Sequence, residues 1–465
     1  MRDKIIRLLK DTLTFAVGNL GSKLILFLMV PLYTNFLSTA EYGTAELVFT
    51  ISQLVIPVAS VAIWNGVIRF GLMKGVSPEK VLWNSLLVWA VGSLLIVGTT
   101  PLIGMYSPIS QWKWFLCAYS IGFILNQIEL QYLKVKDKNK LFAAISLIQT
   151  AVLACLNLLL LVYLRTGVFG YLMSSILSIY VAALLIFILG KLYKDIRIGS
   201  FDIILVKRLL LYSSPLIMND LSWWLIHSSD KIMVEWMLSA SALGLYTVAS
   251  KIPGLINTFV NIFSQAWGVS SIREIESTND NAYYSRIFNA YSALSFGATR
   301  FFVAIIKPFM DIYVGADFTS AWRFVPLLLL AASFSAISAF YGSMFGALQK
   351  SVECMWSTVI GAIINVILNY VCIKTWGVWG AIIGTLSAYI VISMLRQLMV
   401  NRHIKMDINY RKMIIDIAIA FGQAITVSAD WHVTIISLVA IVLFIANHIQ
   451  ELLFMMKKIS NRRRG

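Results

Sequence analysis

Five basic side chains lie inside long apolar stretches of this chain: Lys23, Lys231, Lys251, Arg300 and Lys307. A charge at membrane depth costs about 2.5 kcal/mol or more unless it faces protein or water. Lys23, Lys251 and Arg300 fall near the middle of their stretches, too deep for the side chain to reach the interface by extending. A shared water-filled cavity relieves that cost, and its positive field attracts an anion. Arginine can clamp a phosphate through two parallel hydrogen bonds, while lysine acts as a point charge. Lys23, Lys251, Arg300 and Lys307 are therefore candidate anion ligands, with Lys307 nearer one surface. Arg69 joins them at the end of its stretch, where topology alone also accounts for it. The competing reading is packing: the cations pair with Asp220, Asp230 and Glu129 and hold helices together. Asp220 and Glu129 are also candidates for ion coupling, because a carboxylate in an apolar span can exchange a proton or a sodium ion.

Periodicity places these groups on helix faces. In the stretch 208–236, Asp220, His227 and Lys231 fall within roughly 40° of one another at about 100° per residue. Thr12, Asn19, Lys23 and Thr34 share a face, as do Thr247, Lys251, Thr258 and Gln265, and Asn289, Arg300, Lys307 and Asp311. Asp220 lies near mid-span. His227, Asp230 and Lys231 lie towards the outer side, where Asp230 and Lys231 read as a neighbouring ion pair.

The elements that carry these faces span a membrane. Of the 465 residues, 59% are hydrophobic and 13% are charged, against about 25% charged in soluble domains. The mean hydropathy is +0.80. Fourteen spans are predicted, each able to cross about 30 Å of hydrocarbon: 12–36, 44–69, 81–105, 112–134, 141–164, 168–190, 208–236, 242–268, 286–311, 323–348, 353–374, 377–400, 411–429 and 432–456. A short interfacial helix precedes the first, which is too long for a signal peptide's apolar region. With the N-terminus in the cytoplasm, 29 of the 38 Lys and Arg fall in inside segments, and Lys113, Arg165, Arg323 and Lys374 in outside loops. That asymmetry orients the chain with both termini inside. It also accounts for the net charge of +16 without nucleic acid.

No loop exceeds about 20 residues, too little for an extramembrane catalytic domain. There is no GxxxxGK[ST] loop, no nucleophile elbow and no metal-ligand spacing, so no enzyme and no bound cofactor is expected. Cys117, Cys155, Cys354 and Cys372 lie in apolar spans and read as small buried hydrophobes.

An internal repeat organises the spans. Leu37-Ser38-Thr39-Ala40-Glu41-Tyr42-Gly43 recurs as Leu238-Ser239-Ala240-Ser241-Ala242-Leu243-Gly244, and Gly167-Val168-Phe169-Gly170 as Gly377-Val378-Trp379-Gly380. The period holds six spans, an even number, so both copies have the same topology and relate by an axis along the membrane normal. The predicted organisation is an all-α membrane protein with a six-helix lobe at 1–193, a cytoplasmic linker at 194–207, a second six-helix lobe at 208–402, and two further spans with a basic tail at 403–465. Paired lobes of this kind rock around a central site, which points to alternating-access transport.

Gly18 to Arg69, with Pro31-Leu32-Tyr33, Leu37-Ser38, Tyr42-Gly43, Asn65-Gly66 and Arg69-Phe70, resembles the multidrug/oligosaccharidyl-lipid/polysaccharide exporter superfamily. The same pattern continues in Ser214-Pro215-Leu216, Asp230-Lys231, Leu238-Ser239 and Gly244-Leu245-Tyr246. The chain is most similar to its polysaccharide branch, the Wzx-type O-antigen flippases. The resemblance implies flipping of an undecaprenyl-pyrophosphate-linked oligosaccharide across the bacterial cytoplasmic membrane, driven by a proton or sodium gradient. Its pyrophosphate would lie against Lys23, Lys251 and Arg300, and its prenyl tail in lipid or in a groove at the last two spans. A polysaccharide polymerase and a chain-length regulator are implied partners. The alternatives are a multidrug cation antiporter, disfavoured by the intramembrane cations, and a membrane glycosyltransferase or polymerase, disfavoured by the short loops.

Overall fold

A computed structural model describes residues 21–196, 199–277, 281–348 and 350–462. Thr12 and Asn19 lie outside the described residues, as do the side chains of His227 and Gln265. The fold is all-α. Its helices are α1 (Gly21–Phe36), α2 (Thr39–Ser60), α3 (Trp64–Gly71), α4 (Pro78–Ile103), α5 (Lys113–Val135), α6 (Asn139–Asn157), α7 (Gly167–Leu189) and α8 (Ile203–Met237). They continue as α9 (Ala240–Ser277), α10 (Asn281–Tyr313), α11 (Val325–Ala347), α12 (Ser351–Trp376), α13 (Val378–Val400), α14 (Tyr410–Ser428) and α15 (Val433–Arg462). Among the described residues, eight helices are long and apolar enough to cross a membrane. In hydrocarbon every backbone donor must be satisfied within the segment, which is why these apolar runs are helical. The protein is a multi-pass membrane protein.

Helix starts follow from local chemistry. Ser38 accepts from Glu41 N at 3.3 Å, and the Glu41 carboxylate accepts from Ser38 N at 2.8 Å. This capping box satisfies two donors that an N-terminus otherwise leaves open. Asp202 caps α8 through Ile204 N and Leu205 N, both at 3.0 Å. Asn409 caps α14 through Lys412 N at 3.1 Å.

The expected continuous span 44–69 is broken. Val61 and Ala62 adopt φ of 52° and 48°, and they separate α2 from α3. Pro57 lies four residues upstream, and its carbonyl accepts from Ala62 N at 3.1 Å. A β-branched residue in the left-handed region stores roughly 1–2 kcal/mol. Val61→Gly should therefore leave the melting temperature unchanged or raised. Val58→Gly, in the regular part of α2, should lower stability by about 1 kcal/mol. Equal losses in the two variants would remove the strain argument.

The chain forms two compact units, 1–247 and 248–465. In the first, the core is aliphatic: Ile56, Val67, Ile124, Ile128, Leu133 and Ile186 are buried together. α2 and α9 start side by side within the first unit. A Cβ on Gly43 would collide with the Ala240 carbonyl, and one on Gly244 with the Thr39 carbonyl. Under the 201-residue offset, Thr39 matches Ala240 and Gly43 matches Gly244. Each glycine therefore lets the first turn of the other helix approach closely. Gly43→Val and Gly244→Val should each lower the yield of folded protein, read by size-exclusion chromatography. A normal profile for either would mean the helices can separate at no cost.

The second unit has an aromatic core. Trp267 stacks on Phe340 at 4.6 Å and Phe263 on Tyr291 at 4.3 Å, with Phe288, Tyr341 and Phe345 buried around them.

Candidate functional site

The first unit turns the polar face of α8 onto α2. Glu46, on α2, is 6% exposed. Its Oε1 accepts from the Tyr171 hydroxyl at 3.3 Å and its Oε2 faces Lys231 Nζ at 3.4 Å. Tyr33 and Tyr171 meet edge to face at 4.6 Å beside it. The expected Asp230–Lys231 side-chain pair does not form. Lys231 goes to Glu46, while Asp230 accepts from the Tyr246 hydroxyl and from Lys231 N. Trp224 Nε1 donates to Thr50 O at 2.9 Å, and the Tyr106 hydroxyl donates to Glu235. Burial of Glu46 is tolerated because a cation and a hydroxyl meet its two oxygens.

The anticipated residues of this unit differ in setting. Lys23 on α1 and Arg69 on α3 are exposed. Asp220 on α8 is half-buried. Glu129 on α5 is 4% exposed, and its Oε2 has no hydrogen-bond partner among the described residues.

In the second unit, Lys251 on α9 is half-buried. Arg300 is fully buried on α10, and its Nη2 meets Asp416 Oδ1 on α14 at 3.0 Å. Lys307, further along α10, bonds Asp430 Oδ1 at 2.6 Å and lies over the Trp322 ring at 5.0 Å. That hydrogen bond, with Lys307 and Arg323 nearby, holds the Asp430 carboxyl below the usual carboxylate range. Both expected anion ligands of α10 thus carry carboxylate partners supplied by α14 and the turn after it. A cleft of about 610 Å³ opens beside Arg300. Leu294, Phe301, Phe302, Met413 and Phe444 form apolar walls, and Arg286 and Lys412 add basic groups.

Three charged residues that the sequence reading did not single out belong to these sites. Glu46 and Asp416 are the carboxylates just described. Arg396 is buried on α13. It donates to Ser357 Oγ at 3.0 Å, Ser338 O at 2.8 Å, Ser338 Oγ at 3.0 Å and Thr358 Oγ1 at 2.9 Å. Its hydrogen-bond partners among the described residues are hydroxyls and one carbonyl.

Known proteins match this chain at several levels. Residues 8–268 match the family described as "Polysaccharide biosynthesis protein". A protein of the Lsg locus of Haemophilus influenzae is 22% identical over 267 residues, covering 56% of this chain and 65% of that protein. An uncharacterized membrane protein of Methanocaldococcus jannaschii is 24% identical over 420 residues, covering 82% and 94%. Among solved structures, the lipid II flippase MurJ in an inward closed conformation superposes with a TM-score of 0.69 at 14% identity, over 95% of this chain and 100% of that one. An inward-facing MATE multidrug transporter gives 0.64 at 13% identity, over 83% and 95%. These structural likenesses define the fold.

Proposed function

The chain belongs to the polysaccharide biosynthesis protein family, and from that premise we propose that it flips an undecaprenyl-pyrophosphate-linked oligosaccharide across the bacterial cytoplasmic membrane by alternating access. The carrying observation is Lys23, exposed among Leu24, Leu26 and Leu28 on α1. An exposed lysine on a helix this apolar sets positive charge on a surface that hydrated substrate can reach, where it can attract an anion. Arg69 in the first unit and Lys251 in the second are further candidate diphosphate ligands, each within its own unit. Arg300 and Lys307 already hold Asp416 and Asp430, so they support the pathway's walls and contribute less to the anion itself.

The cleft among α10, α14 and α15 fits the prenyl chain: apolar along Leu294, Phe301, Phe302 and Phe444, basic at Arg286 and Lys412. Asp220 and Glu129 are the first unit's candidates for an exchanged proton or sodium ion. A polymerase and a chain-length regulator are the partners such a product requires. The residues 194–207 link the two repeat copies in this scheme.

Deletion of the gene should leave a lipid-linked oligosaccharide on the cytoplasmic leaflet, detected by its protection from an impermeant glycan-modifying reagent in intact spheroplasts. Unchanged sidedness would sink the proposal. The MATE-like fold keeps drug antiport as the competing reading. A drug-susceptibility shift on deletion, with normal glycolipid sidedness, would favour it.

A further inference from the structure

Glu129 and Asn126 are buried one turn apart on α5, each 4% exposed. Among the described residues, no hydrogen bond or ion pair reaches the Glu129 carboxyl, and Asn126 Nδ2 has no hydrogen-bond partner. Side chains at this spacing are neighbours on one helix face, about 5–6 Å apart at Cβ.

What that face meets follows from contacts on either side of it. A Cβ on Gly122 would lie 2.9 Å from the Tyr180 ring of α7. One on Gly190, just past the end of α7, would lie 3.2 Å from Leu133 Cδ2. α5 and α7 therefore run side by side in the same direction over this length. At about 100° per residue, Gly122, Asn126, Glu129 and Leu133 fall within roughly 60° of one another. Residues 181–190, which pass that face, carry no polar side chain. Ala182, Ala183 and Ile186 among them are buried.

The charged and titratable groups on the elements packed against α5 are engaged with other partners or exposed. Glu46 on α2 meets Lys231, Tyr42 and Tyr171 gather around Tyr33, and Arg69 on α3 is exposed. Glu79 at the start of α4 holds Lys136 at 2.6 Å, and Asp195 after α7 meets Lys136 at 3.3 Å and Tyr132 at 3.0 Å. Tyr180 donates to Ala118 O, Lys138 to Gly190 O, and Lys134 lies over the Phe142 ring. Lys80 and Lys140 are exposed.

A carboxylate set against an apolar helix without cation or donor is costly, whereas a neutral carboxylic acid costs far less. Packing alone requires neither polar group, since aliphatic residues would fill both positions without that cost. The occupant that fits is a proton. A hard metal cation takes about six oxygen ligands, and this face sets the oxygens of Glu129 and Asn126 against a stretch of α7 that supplies no side-chain oxygen. When the proton leaves, the Asn126 amide is the neighbouring donor that can turn to the carboxylate.

We propose that Glu129, with Asn126 beside it, is a proton-binding site of the first unit, and that its proton is exchanged against the transported lipid-linked anion. This rests on the flippase reading and narrows its coupling ion to a proton and the residue to Glu129.

The test uses the full chain in liposomes of phosphatidylethanolamine and phosphatidylglycerol. Dicyclohexylcarbodiimide adds to protonated carboxyls in apolar settings, and mass spectrometry of the peptides locates the adduct. Glu129 should be labelled at neutral pH at least about tenfold more than Glu46, the buried carboxylate that meets Lys231 and Tyr171. Labelling should fall as the pH is raised and stay unchanged when sodium replaces potassium. Equal labelling of Glu46, or none at Glu129, overturns the site, and protection by sodium overturns the proton. Asn126→Leu removes the neighbouring donor, so labelling should persist to higher pH; an unmoved profile removes Asn126 from the site. Exchange is read in the same liposomes supplied with polyprenyl glycolipid extracted from cells lacking the gene, with a pH-sensitive dye trapped inside. The native protein should move protons with glycolipid. Glu129→Gln keeps the shape of the protonated acid, and its proton flux per glycolipid flipped should fall at least about tenfold. A native ratio in Glu129→Gln overturns the exchange, and so does flipping by the native protein without proton movement. Should Glu129→Gln fold poorly, the carbodiimide-modified native protein decides: lost proton flux supports the exchange, and an unchanged flux overturns it. If the native protein leaves glycolipid sidedness unchanged, the flippase reading falls and the exchange with it, while labelling of Glu129 reports the site separately.

Discussion

Arg300→Met should destabilise the protein by about 3–5 kcal/mol, the range for breaking one side of a buried ion pair. The variant leaves Asp416 at 2% exposure with Asn447 and His448 but no permanent cation. Asp416→Leu should cost a similar amount, because it strands a guanidinium whose Nε and Nη1 lack hydrogen-bond partners among the described residues. The double variant Arg300→Met/Asp416→Leu removes both charges and should recover much of the loss, since a packed apolar pair avoids the desolvation cost altogether. The comparison is Lys307→Met, whose pair with Asp430 is 37% and 34% exposed. Water and salt screen that pair, so the effect should be far smaller. Thermal unfolding in detergent measures all four. Equal shifts for Arg300→Met and Lys307→Met would mean burial does not set the worth of these pairs.

The class of the fold was legible because apolar length and Lys/Arg asymmetry are carried by many residues at once. The sites were less so, and particular residues explain why. Asp416 stands five residues after Arg411, in a chain that has just left a basic cytoplasmic loop. One-dimensional reading assigns such a carboxylate to the interface. Its partner Arg300 is 116 residues away. Arg396 stands six residues before Arg402, near the end of its apolar stretch, yet the hydroxyls of Ser338, Ser357 and Thr358 draw it inward. Glu46 follows a capping sequence and reads as the polar entry to a span. Only the fold brings Tyr171 and Lys231 to it, 125 and 185 residues away. The helix break carries the weakest signal of all. Ser60-Val61-Ala62-Ile63 holds no glycine or proline, and Pro57 alone hints that a donor is missing. By contrast, the polar stripe of α8 was visible because period 3.6 is local, although the partner of Lys231 was not.

Glu46 and Lys231 make the second large prediction. The pair joins α2 to α8 within the first unit. Lys231→Gln removes the cation from a carboxylate at 6% exposure that still accepts from the Tyr171 hydroxyl. The cost of an undercompensated buried charge sets the loss at about 1–3 kcal/mol. Glu46→Gln strands a lysine that is 19% exposed, so its cost should be smaller. Glu46→Gln/Lys231→Gln should lose less than the sum, with a coupling of about 0.5–3 kcal/mol. Asp230→Asn is the control: its Oδ1 can still accept from Lys231 N, and its Nδ2 can donate to the Tyr246 hydroxyl, which then acts as the acceptor. If the pair is also broken and remade during transport, the flippase proposed above should lose glycolipid export in both single variants by more than their melting temperatures account for. Restoration of export by the charge exchange Glu46→Lys/Lys231→Glu would tie the effect to the pair. Additive singles, with export tracking stability alone, would reduce Glu46 and Lys231 to packing.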